Sequence, residues 1–286
     1  MNPSAETALT MSVIERLQHC EDPRFKTIMT SLVTHLHAFA RDVRLTEAEW
    51  MQGIEFLTAV GKASTATRQE FILLSDTLGA SSLVLEINHP PLRDTLESAV
   101  LGPFYLEDSP ERSLGADLTD GMPGEPTFYQ GLVADPEGQP IAGATLDIWS
   151  SDGVGYYDVQ FPGPLVKRGR AKIKTDPAGG YHFRSIKPAD YPVPTDGPVG
   201  RMMKHQNRSP QRPGHLHLIV SAPGFKSVVT QIFVADSKYL DDDAVFGVKK
   251  SLAGQFARHP AGIAPSGDEL AVPFYTVNFD MRLLRA

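Results

Sequence analysis

The stretch Arg212-Pro213-Gly214-His215-Leu216-His217-Leu218-Ile219-Val220 carries two histidines on alternate positions of an apolar run. Branched and apolar residues continue up to the turn signal Ala222-Pro223-Gly224, a pattern typical of a β-strand. Side chains two apart in a strand point to the same face, roughly 6 to 7 Å apart along the backbone. The two imidazoles could therefore converge on one ion, although a His-x-His pair is also found as a half-buried feature of ordinary strands.

A second pair with the same spacing, His35 and His37, lies in a stretch of helical periodicity. Side chains at i and i+2 of a helix face apart. We therefore do not expect this second pair to bind a metal.

Tyrosine is abundant in the sequence that precedes the histidine strand, in Gly155-Tyr156-Tyr157-Asp158 and in Asp190-Tyr191-Pro192-Val193-Pro194. Imidazole suits several transition metals, so the remaining ligands must decide which metal is bound. The one cysteine, Cys20, is far upstream. A phenolate is a hard, anionic donor. Two phenolates and a hydroxide would balance the charge of ferric iron, leaving two neutral histidines to complete a five-coordinate site.

Five sequence blocks in this order resemble the intradiol ring-cleaving dioxygenases, and within them the hydroxyquinol 1,2-dioxygenase and catechol 1,2-dioxygenase branch. The resemblance runs from about Ser75 to Gly254, with weaker helical similarity before it. The blocks are Leu101-Gly102-Pro103-Phe104-Tyr105, Gly155-Tyr156-Tyr157-Asp158-Val159-Gln160, residues 191–200, Arg212-Pro213-Gly214-His215-Leu216-His217 and residues 243–248.

The resemblance implies one non-haem Fe(III) per subunit and cleavage of an aromatic 1,2-diol by O2 between its two hydroxyl-bearing carbons. Both oxygen atoms enter the product, and no external reductant is needed. The iron ligands carried over from the family are Tyr157, Tyr191, His215 and His217. Arg212 would stabilise negative charge on the ring, Gln231 would hydrogen-bond near the iron, and Tyr191 would accept a proton as the diol displaces it.

The resemblance also implies a flat apolar slot for one aromatic ring. Its positions are Leu73, Asp76, Val100, Leu101, Gly102, Pro103, Phe104, Val193, Pro194 and Val245. A carboxylate at Asp76 could accept a hydrogen bond from a third ring hydroxyl and would be left unpaired by a diol that lacks it. This favours hydroxyquinol (benzene-1,2,4-triol), giving 3-hydroxy-cis,cis-muconate or maleylacetate, over catechol, giving cis,cis-muconate. Asp76 could instead face solvent or bond to nearby backbone.

Three positions depart from the hydroxyquinol branch. Leu101 and Gly214 stand where phenylalanine and alanine are usual, and Gln231 stands where histidine is frequent. These differences alter the expected shape of the slot and the surroundings of the iron.

Two other classes of function stay open at this point. The region from Gly131 to Trp149 resembles transthyretin-like sandwiches that bind ligands or partners, and a fold does not determine a function. On that reading the histidines carry no metal and the tyrosines are structural. A zinc or copper hydrolase built on His-x-His would need a carboxylate partner, and the sequence offers no convincing one.

The periodicity predicts a mainly β protein with a separate α part: an N-terminal helical bundle followed by an antiparallel β-sandwich. We expect a helical dimerisation domain over 1–104, a linker over 105–126 rich in Gly, Pro, Asp and Glu, and a catalytic sandwich over 127–286. Strands are predicted at 127–133, 144–149, 171–174, 181–186, 215–220, 228–234 and 275–283. Helix starts are predicted at Asp22-Pro23, Thr46 and Thr67, with a short helix around Leu92 to Leu101 and an apolar stripe on the 23–43 helix that packs the bundle's own core.

Composition limits the partners. The net charge of −7 argues against general affinity for nucleic acid or anionic membrane, and no apolar run approaches a membrane span. A single cysteine cannot form an internal disulfide, which fits a cytoplasmic enzyme. The resemblance implies a homodimer through the helical domain and leaves open whether that domain binds a lipid between subunits.

Overall fold

The computed structural model describes residues 5–65, 68–90 and 92–286, and the chain divides into two compact units, 1–59 and 60–286. The helices are α1 (Ala5–Arg16), α2 (Pro23–Asp42), α3 (Glu47–Ala63), α4 (Glu70–Thr77), α5 (Ala80–Asn88) and α6 (Pro198–His205). In the described part of the chain, no helix is both long and apolar enough to cross a bilayer.

Two helix starts in the first unit are confirmed. The Asp22 carboxylate accepts the backbone N–H groups of Arg24 and Phe25, and α2 begins at Pro23. At the start of α3, the Thr46 hydroxyl accepts the Glu49 N–H while the Glu49 carboxylate accepts the Thr46 N–H. The third predicted start, at Thr67, lies outside the described residues.

The apolar stripe of α2 is exposed. No residue of α2 is buried, and Phe25, Leu32 and Leu36 are 52%, 53% and 57% exposed. The expectation that this stripe packs an intramolecular core is therefore wrong, because local periodicity identifies an apolar face but not what covers it. On the same helix, His37 contacts the Thr10 hydroxyl and His35 contacts a carbonyl of its own preceding turn, so the two rings do not share a partner.

The helix predicted over Leu92–Leu101 is also wrong. These residues form turns and extended chain. The Leu96 N–H donates to the carbonyl of Arg282, and the Ala99 N–H donates to the carbonyl of Val229. Backbone groups that a helix would satisfy locally are thus satisfied by strands far away in the sequence.

The second unit contains the strands of a sandwich. They are β1 (Pro126–Ala134), β2 (Thr145–Ser150), β3 (Arg170–Lys174), β4 (Gly180–Ile186), β5 (Tyr191–Pro192), β6 (Gln211–Arg212), β7 (His215–Ser221), β8 (Val228–Val234), β9 (Ala253–Gly254), β10 (Ala257–His259), β11 (Gly262–Ile263), β12 (Glu269–Leu270), β13 (Phe274–Asn278) and β14 (Met281–Arg282). One sheet has the order β3-β2-β7-β8-β9. The other has the order β10-β13-β1-β14, with β4 also paired to β1.

The two sheets share one apolar core, to which β2 and β7 of the first sheet contribute with β1 and β4 of the second. Most strand pairs are antiparallel, as predicted, while β1 pairs in parallel with β13 and β14, and β8 with β9. The run predicted as a single strand over 275–283 is divided into β13 and β14. At the break the Phe279 carbonyl approaches Gly131 so closely that a Cβ there would lie 2.2 Å from its oxygen.

Part of the segment predicted as a linker lies on the sandwich. Leu118 is fully buried, its N–H donates to the Arg184 carbonyl, and the Arg112 N–H donates to the Lys172 carbonyl. Helices α4 and α5 belong to the second compact unit. The proposed boundaries of a dimerisation domain, a linker and a catalytic domain remain a prediction.

Candidate metal centre and active site

The histidines of β7 lie on the face opposite the sandwich core. Leu216, Leu218 and Val220 alternate with them and are fully buried in that core. His215 and His217 are buried as well, and their Nε2 atoms are 3.1 Å apart. The period of two that the sequence showed therefore brings both rings together, at a separation that two ligands of one ion can have.

Burial favours the neutral form of both imidazoles. Burial lowers the pKa of His215, with a further decrease from the charge of Arg212, and burial followed by His215 lowers the pKa of His217. Nδ1 of His215 donates to the Pro213 carbonyl at 2.8 Å. This hydrogen bond places the ring proton on Nδ1, so Nε2 of His215 carries the lone pair that can bind a cation.

Two tyrosines complete the cluster. The Tyr191 hydroxyl lies 3.3 Å from Nε2 of His215, and the rings of Tyr157 and Tyr191 meet edge to face with centroids 5.9 Å apart. Gly155 permits this approach: its φ is +96°, and a Cβ there would lie 2.7 Å from the Cβ of Tyr191. The Gln160 side chain accepts the backbone N–H of Tyr157 at 2.8 Å and fixes the turn that carries this ring.

The Tyr157 hydroxyl is the feature that fits a metal best. It is buried and has no hydrogen-bond partner of good geometry among the described residues. Burial, with the neighbouring Tyr191 as a second cause, raises the pKa of Tyr157 well above its ordinary value. A bound cation reverses this balance and favours the phenolate, so an orphaned buried phenol beside two neutral imidazoles is suited to metal ligation.

The rest of the donor set narrows the choice of metal. In residues 5–65, 68–90 and 92–286, no group of three or more His, Cys, Asp or Glu could hold a metal ion. The oxygen donors beside the two imidazoles are the phenols of Tyr191, 3.3 Å from Nε2 of His215, and of Tyr157, whose ring lies beside that of His217. Such anionic, hard oxygens suit a highly charged ion such as ferric iron.

Arg212 is held beside the cluster by a buried carboxylate. Its Nε donates to Oδ1 of Asp243 at 3.0 Å, and its Nη1 lies 3.3 Å from Nε2 of His215. Asp243 also accepts the N–H of Gly247 at 2.9 Å. Although burial alone would lower the pKa of Arg212, the Asp243 carboxylate raises it, so the guanidinium is a permanent, fixed cation.

Gln231 lies opposite His217 on β8. Its amide is 3.3 Å from Nδ1 of His217, donates to the carbonyl of Val100 at 2.6 Å and accepts from Nη2 of Arg212 at 3.4 Å. Gln231 thus connects a histidine, the arginine and a wall of the neighbouring cavity.

A cavity of about 410 Å³ opens beside this cluster, and both Tyr191 and Arg212 line it. The positions predicted from sequence that also line it are Leu73, Asp76, Val100, Gly102, Pro103, Phe104, Val193, Pro194 and Val245. Leu101 does not, and its side chain is 40% exposed. Asp76 is half-buried. Burial raises its pKa against the opposing effects of Ser81 and Arg212. Asp76 and Arg212 both line the cavity.

Comparison with known proteins identifies the family of this chain. The family model described as "Dioxygenase" matches residues 100–284, and the model "Catechol dioxygenase N terminus" matches residues 22–94. The chain belongs to the intradiol ring-cleavage dioxygenase family. It is therefore an oxygenase, and enzymes of this family use a diol, O2 and non-haem iron.

Individual relatives match over nearly the whole chain. The 6-chlorohydroxyquinol 1,2-dioxygenase of Cupriavidus pinatubonensis is 48% identical over 254 residues, covering 89% of this chain and 92% of the relative. The hydroxyquinol 1,2-dioxygenase of Nocardioides simplex is 46% identical, covering 98% and 96%. The crystal structure of hydroxyquinol 1,2-dioxygenase from Pseudomonas putida DLL-E4 superposes with a TM-score of 0.93 at 40% identity, covering 98% and 99%. All three relatives are named as dioxygenases, so these matches support neither a transthyretin-like binding module nor a zinc or copper hydrolase.

Two aromatic side chains that the sequence did not indicate pack against the histidines and tyrosines of this dioxygenase. Trp149 pairs with His217 across β2 and β7, and the two rings stack at 4.8 Å with planes 8° apart. Phe104 stacks on Tyr157 at 4.4 Å. Strand alternation could have suggested the first contact, since Trp149 ends a predicted strand, but no local signal indicates which ring it meets.

The sequence also did not indicate a buried ion pair next to Tyr157. Asp158 accepts from Nε of Arg170 at 2.6 Å, and both side chains are 1% exposed. Asp158 directly follows Tyr157, so the pair anchors the turn that carries the tyrosine. Arg170 lies 12 residues further along on β3, with no sequence signal linking the two.

Gly214, one of the three departures from the hydroxyquinol branch, lies against another segment of the chain. A Cβ at this position would be 2.3 Å from the Pro188 carbonyl oxygen. Alanine here would require the Pro188 backbone to move, so this dioxygenase has a closer contact between the two segments than an alanine allows.

Proposed function

We propose that this chain catalyses intradiol cleavage of hydroxyquinol by O2, incorporating both oxygen atoms to give 3-hydroxy-cis,cis-muconate or its tautomer maleylacetate. The observation that carries the proposal is the convergence of two buried histidines and two tyrosines, one with an unpaired buried hydroxyl, beside a cavity of about 410 Å³ with largely apolar walls. The names of the relatives that match nearly the whole chain support hydroxyquinol as the substrate.

We further propose one Fe(III) per subunit. The residues that would hold it are Tyr157, Tyr191, His215 and His217. When bound, this ion supplies the Lewis-acid and redox chemistry that allows the diol ring to react with O2.

Tyr191 is the residue suited to accept a proton. It is only half-buried and lines the cavity, whereas Tyr157 is fully buried behind it. An incoming diol therefore reaches the Tyr191 oxygen first. As a phenolate, that oxygen can take one diol proton, while Tyr157 stays fixed under Phe104.

Arg212 is suited to stabilise negative charge on the bound ring. Its guanidinium lines the cavity and cannot turn away, because Asp243 binds it from behind. A fixed cation in a site that excludes water stabilises developing charge without having to reorganise. The apolar walls formed by Val100, Pro103 and Phe104 help to keep water from the ring.

The substrate proposal can be tested by product analysis. We expect the iron-loaded protein to consume one O2 per hydroxyquinol with no added reductant, and the acyclic product formed under 18O2 to carry both labelled atoms, as determined by mass spectrometry. A product with one label, or none, would rule out dioxygenation.

Asp76 is the proposed determinant of hydroxyquinol over catechol. In Asp76→Leu we expect kcat/KM for hydroxyquinol relative to catechol to fall by about 10- to 100-fold, since the third hydroxyl loses a charged hydrogen-bond partner. The matched control is Asp268→Leu, at an exposed carboxylate outside the cavity, which should leave the ratio unchanged. An unchanged ratio in Asp76→Leu would favour the alternative, a catechol 1,2-dioxygenase that forms cis,cis-muconate.

We also propose that the chain is a homodimer through its helical part. The exposed stripe of α2 supports this, because a contiguous apolar face of this kind is uncommon on a monomer's surface. Leu32→Glu with Leu36→Glu is expected to halve the molar mass measured by light scattering, whereas Thr34→Glu, on another face of the helix, should not. A wild-type protein that is monomeric would exclude the proposal. A lipid bound at this face would be detected by mass spectrometry of an organic extract.

A further inference from the structure

An ion-pair network joins two walls of the active-site cavity. Arg68 lies just before α4, and Asp196 lies in the loop between β5 and α6. Nη1 and Nη2 of Arg68 donate to Oδ2 and Oδ1 of Asp196 at 2.7 and 3.0 Å. Both residues line the cavity, and this two-pronged geometry is more specific than a single contact between charges.

Glu70 makes further contacts to both sides of this connection between Arg68 and the loop. Its carboxylate is buried, accepts Nε of Arg68 at 3.0 Å, and accepts the backbone N–H of Val199 at 3.1 Å. At Gly197 a Cβ would lie 2.2 Å from Oε1 of Glu70. The loop can pack this closely against α4 only because residue 197 has no side chain.

The segment from Tyr191 to Val199 is therefore held at both ends. At one end β5 pairs with β6, and the Val193 N–H donates to the Pro210 carbonyl at 2.9 Å. At the other end the charged groups of Arg68 and Glu70 hold Asp196 and Val199. Residues 193–195 lie between these anchors and line the cavity.

We infer that Arg68 and Glu70 set the width of the ring slot by fixing the far end of this segment. Arg68 is then a specificity-determining residue, and Glu70 is a positioning residue, because it holds both the Arg68 guanidinium and the Val199 N–H. The inference rests on the proposed function, because the slot is the one in which the diol binds. When the Arg68–Asp196 pair is removed, the wall at residues 193–195 relaxes outward, a small diol is confined less tightly, and a bulkier ring fits better.

The test compares Arg68→Gln, Asp196→Asn and the double variant, with Arg112→Gln as the matched control. Arg112 makes an ion pair with Asp120 that lies outside the cavity. In the first two variants we expect KM for hydroxyquinol to rise about fivefold, because an ion pair of this exposure commonly contributes at most that factor. We expect kcat to stay within about twofold of the wild-type value. The ratio of kcat/KM for 4-tert-butylcatechol to that for catechol should rise by a similar factor. The double variant should equal Arg68→Gln, because Asp196 has already lost its partner there, whereas Asp196→Asn leaves the contact between Arg68 and Glu70 intact.

A second readout needs neither iron nor turnover. In the iron-free protein, hydrogen exchange at the Val199 amide should be faster in Arg68→Gln and Asp196→Asn than in wild type or Arg112→Gln, because the anchor of that end is weakened. Unchanged exchange, an unchanged substrate ratio, or additive effects in the double variant would each overturn the inference. A wild-type protein that cleaves no diol would refute the proposed function instead, and the exchange rates would still decide whether Arg68 anchors the segment.

Discussion

Tyr157→Phe should abolish stable iron binding and reduce turnover by more than about 100-fold, a larger effect than residues behind the ligands commonly produce. The substitution removes one oxygen and leaves the ring, which stacks on Phe104. The hydroxyl has no hydrogen-bond partner of good geometry in the described part of the protein, so its loss should not weaken the iron-free fold. We expect the free energy of unfolding of the iron-free variant to rise by about 1 kcal/mol, because a buried, unpaired hydroxyl is costly.

The adjacent tyrosine is the matched control for this prediction. Tyr156 is 54% exposed at the cavity rim, so Tyr156→Phe should retain iron and most of the turnover. Iron content by elemental analysis, steady-state rates and thermal unfolding of the iron-free proteins separate the two variants. Full iron content in Tyr157→Phe, or its loss in Tyr156→Phe, would reverse the assignment of the ligand.

Arg212→Gln should reduce kcat by about 10²- to 10³-fold, the effect commonly seen when a fixed group that stabilises developing charge is removed. It should also lower the free energy of unfolding by about 3–5 kcal/mol, since Asp243 would remain as an unpaired buried charge. These two effects have different origins. Rates and denaturant unfolding of the same preparation measure both.

The double variant Arg212→Gln with Asp243→Asn separates catalysis from stability. It removes both charges and keeps a side-chain oxygen at position 243 that can accept the Gly247 N–H. We expect most of the lost stability to return and kcat to stay low. If turnover returned together with stability, Arg212 would have only a structural role.

Local patterns were sufficient to predict the sandwich and the histidine face. The alternation in β7 is a short-range property, and burying Leu216 and Leu218 in the core necessarily turns His215 and His217 to the other side. The caps at Asp22 and Thr46 are equally local, because each is completed within three residues.

Features that depend on distant partners could not be predicted in this way. The periodicity of residues 92–101 is a local property, and it predicts a helix. Their backbone hydrogen-bond partners, however, lie on strands more than a hundred residues further along the chain. The exposure of the α2 stripe has a similar cause: its pattern is apolar, but nothing in the sequence states what covers it.

The candidate site likewise has one part that the sequence predicts and another part that depends on distant residues. The tyrosines and histidines can be assigned from the resemblance, and the structure brings them together. The groups that hold them in place come from elsewhere in the chain: Asp243 behind Arg212, and Arg170 behind the Tyr157 turn. Neither has a distinctive spacing from its partner, so only the fold reveals the pairs.

The most direct test of a tyrosine-ligated ferric centre is the visible absorption spectrum of the purified, iron-quantified protein, measured before and after anaerobic addition of hydroxyquinol. We predict a phenolate-to-iron charge-transfer band that shifts to lower energy when the diol binds. The same band should be lost in Tyr157→Phe and retained in Tyr156→Phe. A protein that remains colourless after reconstitution with ferric iron would contradict the proposed ligands and, with them, the proposed function.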